Sequence, residues 1–190
     1  MSDKTYSNAD IEDLLLKESF ADDENRAIFA VRAMKNYFSP KILERLIDII
    51  ENEKNSEMVI CAIYSLGTKP PIKSVLHILK KQLLRKQEGI RAAAMKVLSE
   101  YGDLTLRELD SLLTRKEELP LYSQKSVIWL LGQIGSKETY DYLNKWKGSS
   151  KIKDLDEHFE DALRNLKRKV MKISLEGLVQ RYRKQIDSNL

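Results

Sequence analysis

A two-helix pattern that recurs every 32 or 33 residues is the strongest constraint on the fold of this chain. The apolar anchors of the pattern are Met34, Leu66, Leu98, Leu131 and Leu163. One helical turn before each anchor stands another apolar residue, which places both on the same helix face. These residues are Ala30, Ala62, Ala94, Val127 and Phe159. A repeat of this length is typical of stacked helical hairpins that share one core.

Stop signals follow each anchor and separate the two helices of a copy. They are Ser39-Pro40, Pro70-Pro71, Gly102-Asp103 and Gly135-Ser136. Glycine can take the left-handed conformation that ends a helix, and proline is tolerated in the first turn of the next one. Apolar residues spaced three and four apart then predict a second amphipathic helix. The sequence therefore predicts an all-α fold, a right-handed α-solenoid of about four to five hairpins.

The repeats predict a single domain over residues 1–190. Residues 1–25 are expected to form an N-terminal capping helix, and 26–147 four helical hairpins. Residues 148–190 are expected to form a fifth, C-terminal capping repeat with a basic tail and a break near Ser174. Terminal repeats of a solenoid turn a polar face to water, and both ends of this chain are highly charged.

The third repeat departs from the register of the others. Arg107 and Asp110 fall where the other copies place apolar or aromatic residues. Starting the helix one residue earlier returns Leu106 and Leu109 to the core face. We therefore expect a local shift in the turn at Asp103.

Charge is unevenly placed along the chain, whose formal net charge is +4. Residues 1–25 carry eight acids and two bases, whereas residues 163–190 carry eight bases and two acids.

No stretch approaches the ~20 apolar residues of a membrane span, and the first residues lack the layout of a secretory signal. The expected location is the cytoplasm, without membrane association. The single cysteine, Cys61, lies in an apolar run and is predicted to be a small core residue.

Two segments resemble short HEAT repeats of the phycobilisome-lyase type. They are IRAAAMKVLSEYGDLTLRELDSLL at 90–113 and VIWLLGQIGSKETYDYLNKW at 127–146, with a further match in MVICAIYSLG at 58–67. In the first and fifth copies, Lys35 and Arg164 replace the glycine of the family pattern. The resemblance implies a solenoid whose second helices line a concave surface, and a protein that binds other macromolecules.

Catalytic and metal-binding patterns are missing from the sequence. The two histidines, His77 and His158, lack a second histidine or cysteine at metal-ligand spacing. No phosphate-binding loop, nucleophile elbow or Cys-x-x-Cys motif is present. We therefore predict a non-enzymatic protein with no catalytic residue, metal or cofactor.

The concave face is the predicted binding site, because its solvent-facing positions carry more bases than acids. The predicted contact residues are Arg45, Lys73, His77, Lys80, Arg107 and Tyr142. An acidic protein or peptide segment is the expected partner. Trp146 falls in a core column. Trp129 falls in a polar column, so it is either an outer-surface anchor for a partner or packed under the loop 117–121.

Three alternatives remain open on the sequence alone. Nucleic acid could bind the basic groove together with the tail NLKRKVMK at 165–172. A HEAT-like DNA glycosylase would use a concave aspartate flanked by aromatics, and Asp141 between Tyr140 and Tyr142 is similar to that arrangement. The family resemblance also allows a lyase or maturation factor that acts on a chromophore-bearing protein. The oligomeric state is not specified by the sequence.

Overall fold

The computed structural model describes residues 7–150 and 153–187. Every regular element in these ranges is a helix, which confirms the predicted all-α class. The α-helices are α1 (Asn8–Glu18), α2 (Glu24–Ala33), α3 (Pro40–Asn52), α4 (Ser56–Gly67), α5 (Lys73–Gln82), α6 (Glu88–Glu100), α7 (Asp103–Thr114), α8 (Leu121–Ile134), α9 (Lys137–Ser149) and α10 (Asp156–Asp187). Single 3-10 turns occupy Met34–Asn36, Lys116–Glu118 and Lys153–Leu155.

The helices begin and end where the sequence places stop signals. The side chain of Ser39 accepts a hydrogen bond from the backbone N–H of Ile42, and Pro40 opens α3. Gly135 ends α8 with a φ of 85°, and Ser136 then forms a capping box with Thr139. These caps satisfy N–H groups that the first helical turn leaves without partners, while glycine takes the left-handed conformation at no steric cost.

The chain divides after Ser111 into two compact units. In the first unit α4 packs against both α2 and α6, while α3 packs on α4 and α5 packs on α6. Ala30, Ala62 and Ala94 are 4%, 0% and 0% exposed, as the repeat pattern predicts. The hydroxyl of Ser65 donates to the carbonyl of Val31 at 2.8 Å, which links α4 to α2. Small side chains thus allow the helices of this layer to approach closely.

The second unit packs α8, α9 and α10 against one another. Trp146 lies at its centre and is 1% exposed, which confirms the predicted core position. Its ring makes edge contacts with Tyr142 and Phe159, at centroid distances of 6.3 and 5.3 Å. Such aromatic pairs add to the free energy that burial of their area contributes. The prediction that both units form one continuous domain stays a prediction.

The third repeat shows the predicted register shift. Helix α7 begins five residues after Leu98, whereas α3 and α9 each begin six residues after Met34 and Leu131. The turn before α7 contains Gly102 with a φ of 57°. Leu109 is 0% exposed, so the shift returns this residue to the core.

The C-terminal segment differs from its predicted form. Helix α10 runs for 32 residues and passes through position 174, so the predicted break is wrong. The segment lacks proline, and a serine or a single glycine costs a helix about 1 kcal/mol or less, too little to end one. A single helix therefore replaces the expected fifth hairpin.

No helix in the described residues has a stretch both long and apolar enough to cross a bilayer.

The C-terminal end of α2 is capped by Lys69, a residue that is only 4% exposed. Its ammonium donates to the carbonyl oxygens of Met34 at 2.8 Å and Lys35 at 3.0 Å, and also to that of Tyr37. Burial lowers the pKa of Lys69, and the charge of Glu12 acts in the opposite direction. Lys69 thus satisfies carbonyl groups that a helix end leaves without intrahelical partners.

Other helix ends are capped in the same way. The hydroxyl of Tyr101 lies 3.1 Å from the carbonyl oxygens of both Gly67 and Lys69, after the end of α4. Burial raises the pKa of Tyr101 to about 12, so the hydroxyl remains a donor at neutral pH. Arg85, which follows α5, donates to the carbonyl of Ile50 in α3 at 3.1 Å. In each case the donor belongs to a later hairpin than the acceptor.

Candidate partner-binding site

The exposed side of α5 borders a shallow hollow of about 480 Å³ between α3 and α5. The hollow is lined by Ile47, Lys73, Ser74, His77 and Ile78. Val75 and Leu79 are both 0% exposed, and this burial turns Lys73 and His77 on the same helix toward solvent. The hollow therefore combines an apolar floor with a basic rim.

Glu108 on α7 contacts two of the predicted contact residues. Its Oε1 lies 2.9 Å from Lys80 Nζ and 3.6 Å from His77 Nδ1. The hydrogen bond from Lys80 holds the pKa of Glu108 below its usual range, and the charge of Lys80 and the contact with His77 lower it further. Lys80 also donates to Ser111 Oγ at 3.1 Å. The side chain of Lys80 is 13% exposed, so the prediction that it faces solvent freely is wrong.

Replacing Glu108 with glutamine should lower the free energy of unfolding by about 1 kcal/mol at neutral pH, because an amide forms no ion pair with Lys80. The folded-state pKa of Glu108 lies below its unfolded value. Its contribution to stability is therefore fully present above the unfolded pKa of about 4.3, and is lost as the pH falls through the folded pKa.

Urea unfolding at a series of pH values tests this expectation. The difference in unfolding free energy between wild type and Glu108→Gln should shrink as the solution becomes acidic. Glu44→Gln, at an exposed glutamate of α3, is the matched control and should leave stability unchanged. A wild-type advantage that persists unchanged into strong acid would contradict the assigned role of Glu108.

Lys73 differs from its basic neighbours because no hydrogen bond or ion pair within the described residues ends on its ammonium. Lys41 is bound to Asp13 at 3.3 Å, and Lys81 is bound to Glu51 at 3.1 Å. Lys73 is exposed, as predicted. An exposed ammonium beside an apolar floor is the part of this surface best suited to an incoming carboxylate.

Arg107 is also exposed, on α7, as predicted. Arg107 does not line the hollow between α3 and α5. Its neighbour Glu108 takes the inward contact with α5 instead. Lys73, His77 and Lys80 thus lie along one face of α5, and Arg107 lies on α7 outside the hollow.

Arg45 is not a free surface residue, and the prediction that it faces solvent is wrong. Its guanidinium donates to the carbonyl of Ser19 at 2.9 Å and to the Ser19 hydroxyl at 3.0 Å. It stacks on the ring of Phe20 with its central carbon 3.6 Å from the centroid, and pairs with Asp48. These contacts leave the Arg45 side chain 13% exposed. Arg45 therefore holds the end of α1 against α3.

Tyr142 belongs to the second unit, where it has a structural partner. Its hydroxyl donates to the carbonyl of Leu113 near the end of α7 at 3.1 Å, and Lys116 Nζ lies 5.9 Å from its ring centroid. Asp141 and Tyr140 instead border a separate hollow of about 270 Å³ between α9 and α10. The two tyrosines that flank Asp141 thus have different surroundings.

Trp129 is 41% exposed on α8, in agreement with the polar column in which it falls. Tyr64, at the corresponding place in the second repeat, is 49% exposed. The role of Trp129 as a partner anchor stays a prediction.

Metal ligands do not converge anywhere in the described part of the chain: no three His, Cys, Asp or Glu side chains could hold one ion. Cys61 is 8% exposed, which confirms its predicted burial. Its sulfur lies 3.7 Å from a guanidinium nitrogen of Arg32.

Comparisons with known proteins add little to this description. No family model matches the sequence. No characterised protein matches it either. Among solved structures, the chain is similar to the crystal structure of an engineered protein, with a TM-score of 0.48 and 18% identity over 85% of this chain and 81% of that one. None of these comparisons indicates a function for this chain.

Proposed function

We propose that this chain is a right-handed α-solenoid of HEAT-like hairpins, and that it is a non-enzymatic module that binds an acidic segment of another protein. Helices α2, α4 and α6 begin at residues 24, 56 and 88, so the period of 32 residues recurs in helix positions. Each of the three contributes equivalent alanines to the core. Both facts support the repeat architecture, whose surfaces commonly bind extended partners.

One observation carries the choice of partner: in the hollow between α3 and α5, an ammonium with no partner among the described residues lies beside an apolar floor. Ile47 and Ile78 can receive an aliphatic or aromatic side chain, and Lys73 can pair with a carboxylate next to it in the same peptide. His77 is half exposed and adds positive charge when protonated. Lys80 is already bound to Glu108 and positions α7 rather than the partner.

The partner chemistry follows from this arrangement. A purely acidic peptide would leave the apolar floor exposed to water. A purely apolar peptide would partly bury the ammonium of Lys73 without a counterion, which costs free energy. A segment that alternates acidic and large apolar residues satisfies both. Nucleic acid would need several cations in register with phosphates, and three lysines near this hollow, Lys41, Lys80 and Lys81, already have acidic partners.

Charge reversal at Lys73 tests the proposal. Fluorescein-labelled peptides rich in Glu and Leu would be titrated with the wild-type protein and with Lys73→Glu, with fluorescence anisotropy as the readout. We expect the Kd to rise about tenfold or more, since the variant places two like charges together. Lys54→Glu, at an exposed lysine between α3 and α4, carries the same change of charge and should bind as wild type does.

Two results would contradict the proposed peptide site. Equal binding by wild type and Lys73→Glu would remove the site from α5. Tight binding of a random DNA duplex with a steep dependence on salt, together with no binding of acidic peptides, would replace the proposal with the nucleic-acid alternative.

A further inference from the structure

His77 is one of two ionisable side chains that line the hollow between α3 and α5, and the other is Lys73. The two lie one helical turn apart on α5, and the side chain of His77 is 50% exposed. A lysine is charged throughout the neutral range, whereas a histidine ordinarily changes its charge between about pH 5 and 8. Protonation of His77 therefore raises the number of cations that line the hollow from one to two.

The ring of His77 faces a carboxylate within the protein. Its Nδ1 lies 3.6 Å from Oε1 of Glu108 on α7, and the same oxygen accepts a hydrogen bond from Lys80 at 2.9 Å. Nε2, the other ring nitrogen of His77, has no hydrogen-bond partner among the described residues. That nitrogen is therefore available to a bound partner.

The protonation state of the ring decides whether it can hold two carboxylates. A neutral imidazole donates a hydrogen bond from one nitrogen and accepts with the other, whereas a protonated one donates from both. A neutral His77 that donates to Glu108 would present a lone pair to a carboxylate of the partner, and the other tautomer would present its lone pair to Glu108. Only the protonated ring binds an acid on each side, and such charge-assisted hydrogen bonds are stronger than neutral ones.

The helices around the hollow carry further charged side chains. They are Lys73, Lys80 and Lys81 on α5, Arg107 and Glu108 on α7, and Glu44, Asp48 and Glu51 on α3. Asp48 is bound to Arg45 at 2.5 Å. Glu51 is bound to Lys81 at 3.1 Å. Helix α6 packs against the buried side of α5. Carboxyl, ammonium and guanidinium groups ordinarily titrate well outside the range from about pH 6 to 8, so they keep their charge while an imidazole changes its own.

We propose that a protonated His77 bridges Glu108 and a carboxylate of the bound acidic segment, so that the hollow binds its partner more tightly in mildly acidic solution. The inference rests on the proposed peptide site, to which it adds a second contact and a response to pH. Lys73 binds one acid of the segment throughout the neutral range, and His77 binds a second acid once its ring is protonated. By linkage the bound carboxylate also favours the protonated ring, so proton and partner bind cooperatively.

Peptide binding at two pH values tests the bridge. The labelled peptides rich in Glu and Leu would be titrated with the full chain at about pH 6 and about pH 8, at constant ionic strength. The peptide glutamates, with an ordinary pKa of about 4.3, stay ionised at both. We expect the wild-type Kd to be about threefold lower or more at the lower pH. His77→Gln cannot gain a charge, so its Kd should be the same at both pH values.

Two further variants separate the bridge from other effects of pH. His158→Gln, at the chain's other histidine, on α10, should keep the wild-type pH dependence. Glu108→Gln should lose most of it, because the amide can donate to Nδ1 of a neutral His77 and leave Nε2–H for the partner. Circular dichroism would confirm that all variants are folded at both pH values.

The role of His77 is overturned if wild-type peptide binding does not depend on pH, if His77→Gln keeps the pH dependence, or if Glu108→Gln leaves it unchanged. Loss of the pH dependence in His158→Gln would also overturn it. In these cases, weaker binding by Lys73→Glu at both pH values would leave the peptide site itself in place. Absence of peptide binding at both pH values would overturn the peptide site and the role of His77 together.

Discussion

Replacing Lys69 with methionine should lower the free energy of unfolding by about 3 kcal/mol, one of the two largest single-residue effects expected in this protein. Methionine keeps the apolar stem of the side chain but donates no hydrogen bond. The carbonyls of Met34, Lys35 and Tyr37 would each lose a charged donor in a largely buried place. A hydrogen bond from a charged group contributes about 1.5 to 3 kcal/mol, and a buried acceptor left without a partner costs a similar amount.

Urea unfolding followed by far-ultraviolet circular dichroism measures the effect of Lys69→Met. Lys54→Met, at an exposed lysine of the same unit, is the control and should unfold at the wild-type urea concentration. Hydrogen exchange gives a second readout, because amides in the last turn of α2 should lose protection first. A variant as stable as wild type would show that water replaces the ammonium without cost.

Replacing Gly132 with alanine should also cost about 3 kcal/mol, for a reason of shape. A Cβ atom at this position of α8 would lie 2.8 Å from both Cα and Cβ of Ala162 on α10. Atoms of a helix backbone cannot move aside as a flexible side chain can, so α8 and α10 would have to separate along their contact. The separation would loosen the packing of Trp146 against Phe159 in the same unit.

Tryptophan fluorescence follows this loss directly, because Trp129 and Trp146 are the chain's two tryptophans and both lie in the second unit. Gly148→Ala supplies the control with the opposite sign. A Cβ atom there meets no other atom within 4 Å, so the change should stabilise α9 by about 0.5 kcal/mol through helix propensity alone. If both alanine variants unfold alike, the close approach of α8 and α10 is not what holds the second unit together.

The packing of the first helices within each unit was predictable from the sequence because it depends on local pattern. Apolar residues one turn apart must share a face, and their recurrence every 32 or 33 residues indicates which helix faces of a unit are buried. Ala62, Ala94, Val127 and Phe159 are accordingly all 0% exposed. Stop signals at Pro40 and Gly135 locate the turns for the same local reason.

The roles of the basic residues were not predictable in this way. Arg45 and Lys69 look like ordinary surface cations in sequence, and only the fold shows that carbonyl groups 26 to 35 residues earlier are their acceptors. A charge pattern indicates which residues can face water, but it does not indicate which of them bind a partner on another helix. The contact set predicted for the concave face therefore combined Lys73, a cation without a partner in the described part of the chain, with residues that hold the fold together.

Glu108 could have been found from the sequence. The register shift at Asp103 moves every position of α7 by one residue, and that places Glu108 in the column of Arg45 and His77. With the same shift applied to the exposed positions, Glu108 rather than Arg107 belongs to the predicted binding face. A consistent shift identifies the acid that binds Lys80.

The caps on the helix ends also impose an order on folding. Lys69, Tyr101 and Arg85 each complete a helix that the chain made earlier, so the donor always leaves the ribosome after the acceptor. A newly made hairpin of the first unit therefore keeps unfinished carbonyl groups until its successor emerges. Within the first unit, the hairpin made last therefore lacks part of its hydrogen bonds during synthesis, and the next hairpin supplies the missing donors.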